Sequence, residues 1–206
     1  YSGDLDWRPV VPQNGRYWFT YIASDDKGLH LFVNYITDKG ELAATEPLQL
    51  AFAGNARAPR WSPDGRHIAF VSDSGVLHVV PEVDRALQNG SASSMRATRI
   101  AEAGRPALYP AWHPLGTYIA YQVERDVRSS RVFAIDALPV NKQTGLASGP
   151  PVNLTESLQR ASAFRPTWSP DSGKYVAFFT DREAGADGEG TRFDICLLYT
   201  SPSPRD

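Results

Sequence analysis

The chain repeats one short motif four times. Residues 59–65 read PRWSPDG, and the pattern returns as PAWHPLG at 110–116 and PTWSPDSG at 166–173. A more divergent first copy, PVVPQNG, occupies 9–15. The leading prolines are 50, 51 and 56 residues apart, and each copy leads into a short apolar run. A period near 50, built on short apolar strands and Pro/Gly turns, is typical of arrays of small sheets.

The second copy shows the expected structure of one repeat. Its apolar alternation and turn residues predict four strands, at 58–62, 66–72, 76–80 and 98–101. Four short antiparallel strands joined in this way form one blade of a β-propeller, an all-β fold.

The four copies together predict an incomplete β-propeller over residues 1–195. The predicted blades lie at 7–52, 58–101, 108–155 and 164–195. The last copy supplies only three strands, and closed propellers have about four to eight blades. We therefore expect an open arc whose end faces leave apolar surface in water.

Each repeat places one residue, a tryptophan in three copies and Val11 in the first, just before its turn. A ring of tryptophans could form an aromatic cage for a ligand, but one such residue per blade favours a wedge between neighbouring blades. The predicted structural positions are the tryptophans, prolines and glycines of the three better copies: Trp61, Pro63, Gly65, Trp112, Pro114, Gly116, Trp168, Pro170 and Gly173.

The run WSPDGRHIAF at 61–70 resembles the repeat of TolB-type, WD-like β-propellers, as do its counterparts at 112–121 and 168–178. The Asn153-Leu154-Thr155 segment is similar to the Arg-Leu-Thr that closes blades in that family. The resemblance implies a non-catalytic scaffold that binds a protein or a peptide. The same repeat also builds the propellers of tricorn-like and prolyl-oligopeptidase-like serine peptidases, where catalysis belongs to a separate domain. That alternative stays open, as does an active site within the propeller itself.

The resemblance also implies a location. TolB is a periplasmic component of an envelope-spanning system, so we expect a periplasmic or secreted protein. The chain begins at Tyr1, and the expectation includes a secretory signal segment encoded upstream of it.

Composition and motifs argue against several other functions. The net charge is −2 and no basic stripe occurs, so nucleic acid is not an expected partner. No apolar run approaches the roughly 18 residues of a membrane span. The sequence lacks Gly-x-Ser-x-Gly, His-Glu-x-x-His, Cys-x-x-Cys and phosphate-loop motifs, so no catalytic residue, cofactor or metal is predicted. The acidic residues at 181–189 could bind calcium, but their spacing favours a solvated loop. His67 and His78 could face each other across a hairpin, but a metal site there is not the favoured interpretation.

The strand order predicts where a partner would bind. Turns after the second strand of each blade share a rim with the approaches to the first strands, and the loops there differ between blades. The predicted protein- or peptide-binding rim consists of eight charged residues: Asp25, Asp26, Arg57, Arg105, Glu124, Arg128, Asp181 and Arg182.

The C-terminal string 196–206, CLLYTSPSPRD, does not continue the repeat. It resembles a translated sequencing adapter of the kind found at the ends of metagenomic protein predictions, and the alternative is a native Ser/Pro-rich tail. We expect a non-native tail that is irregular after Ile195, with the native protein continuing beyond that residue.

Overall fold

The computed structural model describes residues 4–12, 14–26, 28–43, 46–50, 52, 54–89, 91, 95–101, 105–127, 130–158, 161–181 and 194–199, with the backbone alone at Asp25 and Ser130. Within these ranges the chain forms four antiparallel sheets in chain order, which we number as blades one to four.

The strands of each blade follow the order of the chain. The first blade contains β1 (Leu5–Trp7), β2 (Arg16–Asp25), β3 (Gly28–Thr37) and β4 (Leu48–Gln49). The second contains β5 (Ala56–Trp61), β6 (Ile68–Ser72), β7 (Leu77–Val80) and β8 (Thr98–Arg99). The third contains β9 (Ala107–Trp112), β10 (Tyr118–Val127), β11 (Ser130–Pro139) and β12 (Val152–Asn153). The fourth contains β13 (Ala163–Trp168), β14 (Tyr175–Thr180) and β15 (Asp194–Tyr199).

The first strand of each blade lies innermost. Every sheet is a meander, and β1, β5, β9 and β13 contact one another in that order from blade to blade. Blades that radiate from such an inner row form a propeller. The structure confirms the predicted all-β fold, an incomplete β-propeller with antiparallel blades in an open arc.

Apolar cores fill the three spaces between consecutive blades. Along β6, Ile68 and Phe70 pack toward the first blade, whereas Ala69 and Val71 pack toward the third. This division follows from the two-residue period of a strand, which sends alternate side chains to opposite faces. The apolar runs after the turns of the second and third blades are therefore covered on both sides.

The tryptophan positions lie in these cores, each facing the preceding blade. Trp112 and Trp168 each donate an indole N–H to a carbonyl of the previous innermost strand, at Arg60 and Ala111 respectively, with both distances 3.1 Å. Trp61 is equally buried, but its indole N–H has no partner among the described residues.

The first blade explains that difference. Its first strand was predicted to reach Val11, yet β1 ends at Trp7 and Val11 is 83% exposed, so the packing role predicted for Val11 is wrong. Pro9 and Pro12 lack the N–H that a strand ladder needs. The Arg8 side chain reaches the second blade instead, donating from Nε to the Gly65 carbonyl at 2.8 Å.

The Pro-Asp-Gly turns bind adjacent strands and adjacent blades. The Ser62 hydroxyl accepts the His67 N–H at 2.9 Å and donates to Asp64 at 2.6 Å, which closes the turn. Gly173 has a φ of 65° and lies against the His113 ring of the third blade. A side chain at this position would collide with that ring, so both the backbone conformation and the close approach require glycine.

One helix interrupts the connection at 81–97, for which no secondary structure was predicted. Helix α1 (Val83–Asn89) buries Val83, Ala86 and Leu87 in the core between the first two blades. Their spacing places all three on one face of a helix. A 3-10 turn, Glu156–Leu158, follows β12. No helix in the described part of the chain combines the length and apolar content of a membrane span.

The chain after Ile195 was predicted to be irregular. This prediction is wrong for residues 196–199, because β15 continues to Tyr199. Residues 196–199 pair with β14, and Cys196 and Leu198 pack against the core between the last two blades. Their alternation suits a strand with one covered face. The rest of the tail, 200–206, lies outside the described residues.

The tryptophan contacts predict different costs for equivalent substitutions. We expect Trp61→Ala and Trp112→Ala each to lower the free energy of unfolding by about 3–5 kcal/mol, because both empty a buried aromatic site. Trp112→Phe should cost about 1 kcal/mol more than Trp61→Phe, because only the former removes a hydrogen bond, from the indole to the partly buried Arg60 carbonyl. Urea unfolding of the four variants measures both effects. Equal costs for the two phenylalanine variants would contradict the role of the Trp112–Arg60 hydrogen bond.

The two end faces predict self-association of the purified chain. On the fourth blade Ile195, Leu197 and Tyr199 are 73%, 69% and 57% exposed, and on the first blade Leu5 and Trp7 are about half exposed. Apolar patches of this kind associate in water. We expect the mass measured by light scattering to rise with protein concentration.

Leu197→Glu should reduce this association. Val152→Glu is the matched control, because Val152 is 56% exposed but lies on the outermost strand of the third blade. A monomer at every concentration would show that the end faces are not adhesive.

Candidate functional site

A groove of about 960 Å³ runs along the innermost strands of the arc. Its walls come from all four blades, and charged and aromatic side chains line it beside the repeated prolines. Because each blade contributes the same strand, the groove has a regular backbone with side chains that differ from one blade to the next.

The same backbone irregularity recurs in the groove wall of three blades. Ala58, Tyr109 and Arg165 have φ angles of 47°, 51° and 50°, in the left-handed region that non-glycine residues rarely adopt. Each stands three residues before a repeat tryptophan and directly before a repeat proline, where the ladder to the second strand shifts register. Such bulges redirect a side chain.

Tyr109 and Arg165 use this position to line the groove together. The Arg165 guanidinium lies 4.7 Å from the centre of the Tyr109 ring, and the Arg165 N–H donates to the buried side chain of Gln122 at 3.2 Å. Neither residue was among the predicted site residues. The available signal was positional: the residue before the repeated proline varies (Ala, Tyr, Arg) while the motif around it is nearly constant.

Two carboxylates of the first blade form part of the groove wall. Asp4 accepts the Ala58 N–H at 2.8 Å and Asp6 accepts the Trp61 N–H at 2.7 Å, so both support the bulged strand β5. Burial raises the pKa of Asp6 above its ordinary value, although the Trp61 N–H and the nearby charge of Arg60 act in the opposite direction.

The predicted rim residues whose side chains the structure describes lie in more than one place. Arg57 lines the inner groove, and Asp26 is an exposed turn residue after β2. Asp181 accepts the Ser162 N–H at 2.5 Å, which ties β14 to the start of β13. The side chain of Asp25 and the residues Arg128 and Arg182 lie outside the described residues.

Arg105 and Glu124 do meet, in a cleft of about 610 Å³ on the third blade. Arg105 donates to the Glu124 carbonyl at 3.2 Å and pairs with Asp126, while the Glu124 side chain pairs with Arg131 at 3.4 Å. The charges in this part of the rim are thus bound to one another. Exposed pairs of this kind contribute little stability.

An ion pair with a buried carboxylate lines the same cleft. Arg125 donates to both carboxylate oxygens of Asp136 at 2.7 Å, and the Asp136 side chain is only 5% exposed. Burial, and next the charge of Asp136, raise the pKa of Tyr121 to about 12. The phenol therefore stays protonated at neutral pH and is not suited to act as a base there.

The histidines act as structural residues. His67 bonds through Nε2 to the Lys142 carbonyl at 3.2 Å and accepts the Glu82 N–H at Nδ1, so it binds two neighbouring loops as a neutral ring. In the ladder His78 pairs with Phe70 and does not face His67. Among the described residues no group of three His, Cys, Asp or Glu side chains could hold a metal ion.

Burial lowers the pKa of His67, His78 and His113 below the ordinary 6.5. The unfolded chain therefore takes up more protons than the folded one as pH falls through about 6.5, and stability falls with it. We expect the free energy of unfolding to be lower at about pH 5.5 than at about pH 7.5.

His113→Ser tests this assignment, because the equivalent turns carry Ser62 and Ser169. We expect the variant to lose less stability between the two pH values than the parent chain, as measured by urea unfolding at each pH. An unchanged pH dependence would remove His113 from the explanation.

Comparison with known proteins supports the fold. No protein-family model and no curated protein sequence matches this chain. Among solved structures, a candidate TolB from Agrobacterium tumefaciens matches with a TM-score of 0.57 and 16% identity, over 96% of this chain and 57% of that one. An oligogalacturonate lyase in complex with manganese matches with a TM-score of 0.55 and 13% identity, over 89% and 46%. An acylaminoacyl peptidase from Pyrococcus horikoshii matches with a TM-score of 0.53 and 11% identity, over 97% and 31%.

Sequence identities this low show a shared fold alone. The three proteins have different names and activities, yet each contains the arrangement of blades found here. The chain spans about half the length of the first two structures and about a third of the last.

Proposed function

We propose that this chain is a TolB-like, non-catalytic β-propeller that binds a protein or peptide partner in its inner groove and at the adjoining rim, in the periplasm or outside the cell. One observation carries the proposal. In the three repeats with the full motif, the residue before the proline has the same strained backbone conformation, and its side chain, which differs between repeats, lines the groove. Residues held in such conformations concentrate at functional sites.

The dimensions of the groove suit an extended partner. It follows strands from four blades, and proline and aromatic side chains alternate with charged ones along it. Tyr109 is 39% exposed and Trp7 49%, so both rings can contact a ligand. Exposed aromatic residues in concave surfaces are frequent anchors in protein–protein interfaces. Similarity to the candidate TolB agrees with a binding module but extends only to the fold.

Selection of peptides from a random phage-displayed library against the immobilised chain tests the proposal. Peptides that bind the parent chain should bind Tyr109→Asn more weakly, by about tenfold or more, because an aromatic anchor is lost. Asparagine tolerates the left-handed conformation at this position, so the groove backbone should be kept. Tyr17→Asn, which removes another half-exposed tyrosine that does not line the groove, is the matched control.

Failure to select any peptide would count against the proposal, and equal losses in both variants would place the binding elsewhere.

A peptidase-associated propeller is the second candidate. The match to the acylaminoacyl peptidase, of which this chain covers 31%, favours it. The groove would then pass peptides toward a separate catalytic domain. Reading the native gene past the codon for Ile195 separates the two candidates, because the peptidase requires a domain with a Gly-x-Ser-x-Gly nucleophile turn.

A further inference from the structure

The arginines that line the inner groove differ from those of the third-blade cleft in their ion pairs. Within the described residues, Arg57 and Arg165 form no ion pair, and Arg60 donates from its guanidinium to the Pro59 carbonyl at 2.7 Å. The arginines of the third-blade cleft, in contrast, each face a carboxylate: Arg105 with Asp126, Arg125 with Asp136, and Arg131 with Glu124.

The acids that line the groove are already bound by its own walls. Asp4 and Asp6 accept backbone N–H groups of β5, as described above. Asp73 accepts the Ser74 N–H at 2.9 Å and a side-chain N–H of Asn55 at 3.2 Å. These bonds come from neutral N–H groups, so the three lining carboxylates keep their charge and balance the three lining arginines. The difference lies in hydrogen-bonding capacity: the acids already accept bonds from the groove walls, whereas Arg57 and Arg165 keep N–H donors that have no carboxylate partner among the described residues.

The positive groups are also held in place before any ligand arrives. The Arg165 backbone is fixed by its left-handed φ and by the hydrogen bond to Gln122, and its guanidinium lies on the Tyr109 ring. An arginine stacked in this way uses its flat face and leaves the N–H groups at its edge free for a carboxylate. Preorganisation of this kind reduces the entropy lost on binding.

From this arrangement we propose that the groove selects an acidic, extended peptide, with Arg57 and Arg165 binding its carboxylates and Tyr109 packing against its chain. The inference rests on the proposed function, since it names the class of peptide that the same groove takes. The arc places the two arginines on separate blades, the second and the fourth. Carboxylates spaced along an extended chain can reach both.

Fluorescence anisotropy with three labelled peptides of about ten residues tests the proposal. They carry glutamate, glutamine or lysine at alternate positions, with glycine and serine between. The glutamate peptide should bind at least about tenfold more tightly than the other two. Added salt should weaken its binding, because salt screens partly exposed charge pairs.

Two substitutions assign the preference to the groove. Arg165→Asn keeps a residue that tolerates the left-handed conformation, and Arg57→Gln removes the charge at an exposed position. Each substitution should lower the affinity for the glutamate peptide by about tenfold and leave the affinity for the glutamine peptide unchanged. Arg16→Gln is the matched control, because Arg16 lies 4.8 Å above the Tyr35 ring in the first blade and lines no part of the groove. It should bind all three peptides like the parent chain.

The possible outcomes separate the two proposals. If the three peptides bind equally and Tyr109→Asn weakens them all, the groove binds peptides but the preference for acidic ones is wrong. Equal losses for Arg16→Gln and Arg165→Asn would show that the preference comes from overall charge, which also overturns the inference. If none of the three peptides binds although library-selected peptides do, only this inference fails; if neither set binds, the proposed peptide-binding function fails with it.

Discussion

A four-stranded sheet of this size can bury apolar side chains only against a neighbouring sheet, and here the second strand of the blades carries them on both faces. In β6, Ile68 and Phe70 fill one interface while Ala69 and Val71 fill the next. Burial of a large aliphatic or aromatic side chain contributes about 1.5–3 kcal/mol, so each blade is stabilised by its neighbours more than by itself. The turns, the tryptophan wedges and the groove depend on this stacking, because it sets the positions of the innermost strands.

The first blade shows what happens where the repeat has decayed. Its innermost strand stops at Trp7, the indole N–H of Trp61 is left without an acceptor among the described residues, and Val11 points into solvent. The blade is tied to its neighbour by polar contacts instead, through Asp4 and Asp6 to the backbone of β5 and through Arg8 to the Gly65 carbonyl. Each of these contacts joins residues more than 50 positions apart in the chain, and none needs the lost repeat motif.

The charged groups of the molecule fall into two classes that matter for function. In the third-blade cleft, arginines and carboxylates pair with one another, and the buried Asp136 places both of its carboxylate oxygens on Arg125. Along the inner groove the carboxylates are bound by backbone N–H groups, whereas Arg57 and Arg165 have no carboxylate partner among the described residues. A binding surface needs groups whose hydrogen-bonding capacity is not already used, which is why the groove, and not the rim, carries the inference about a ligand.

The sequence by itself determined the repeat, the type of blade and the open arc, because turns such as 62–67 and apolar alternation such as Ile68-Ala69-Phe70 act over a few residues. Those signals are local, and the chain repeats them. It could not show that β1 ends at Trp7, that α1 packs into a core, or that residues 196–199 extend a strand, because each depends on what lies opposite in space. The groove is the clearest case. Arg57, Tyr109 and Arg165 are far apart along the chain, and only the stacking of blades brings them to one surface, where the two arginines have no acidic partner among the described residues.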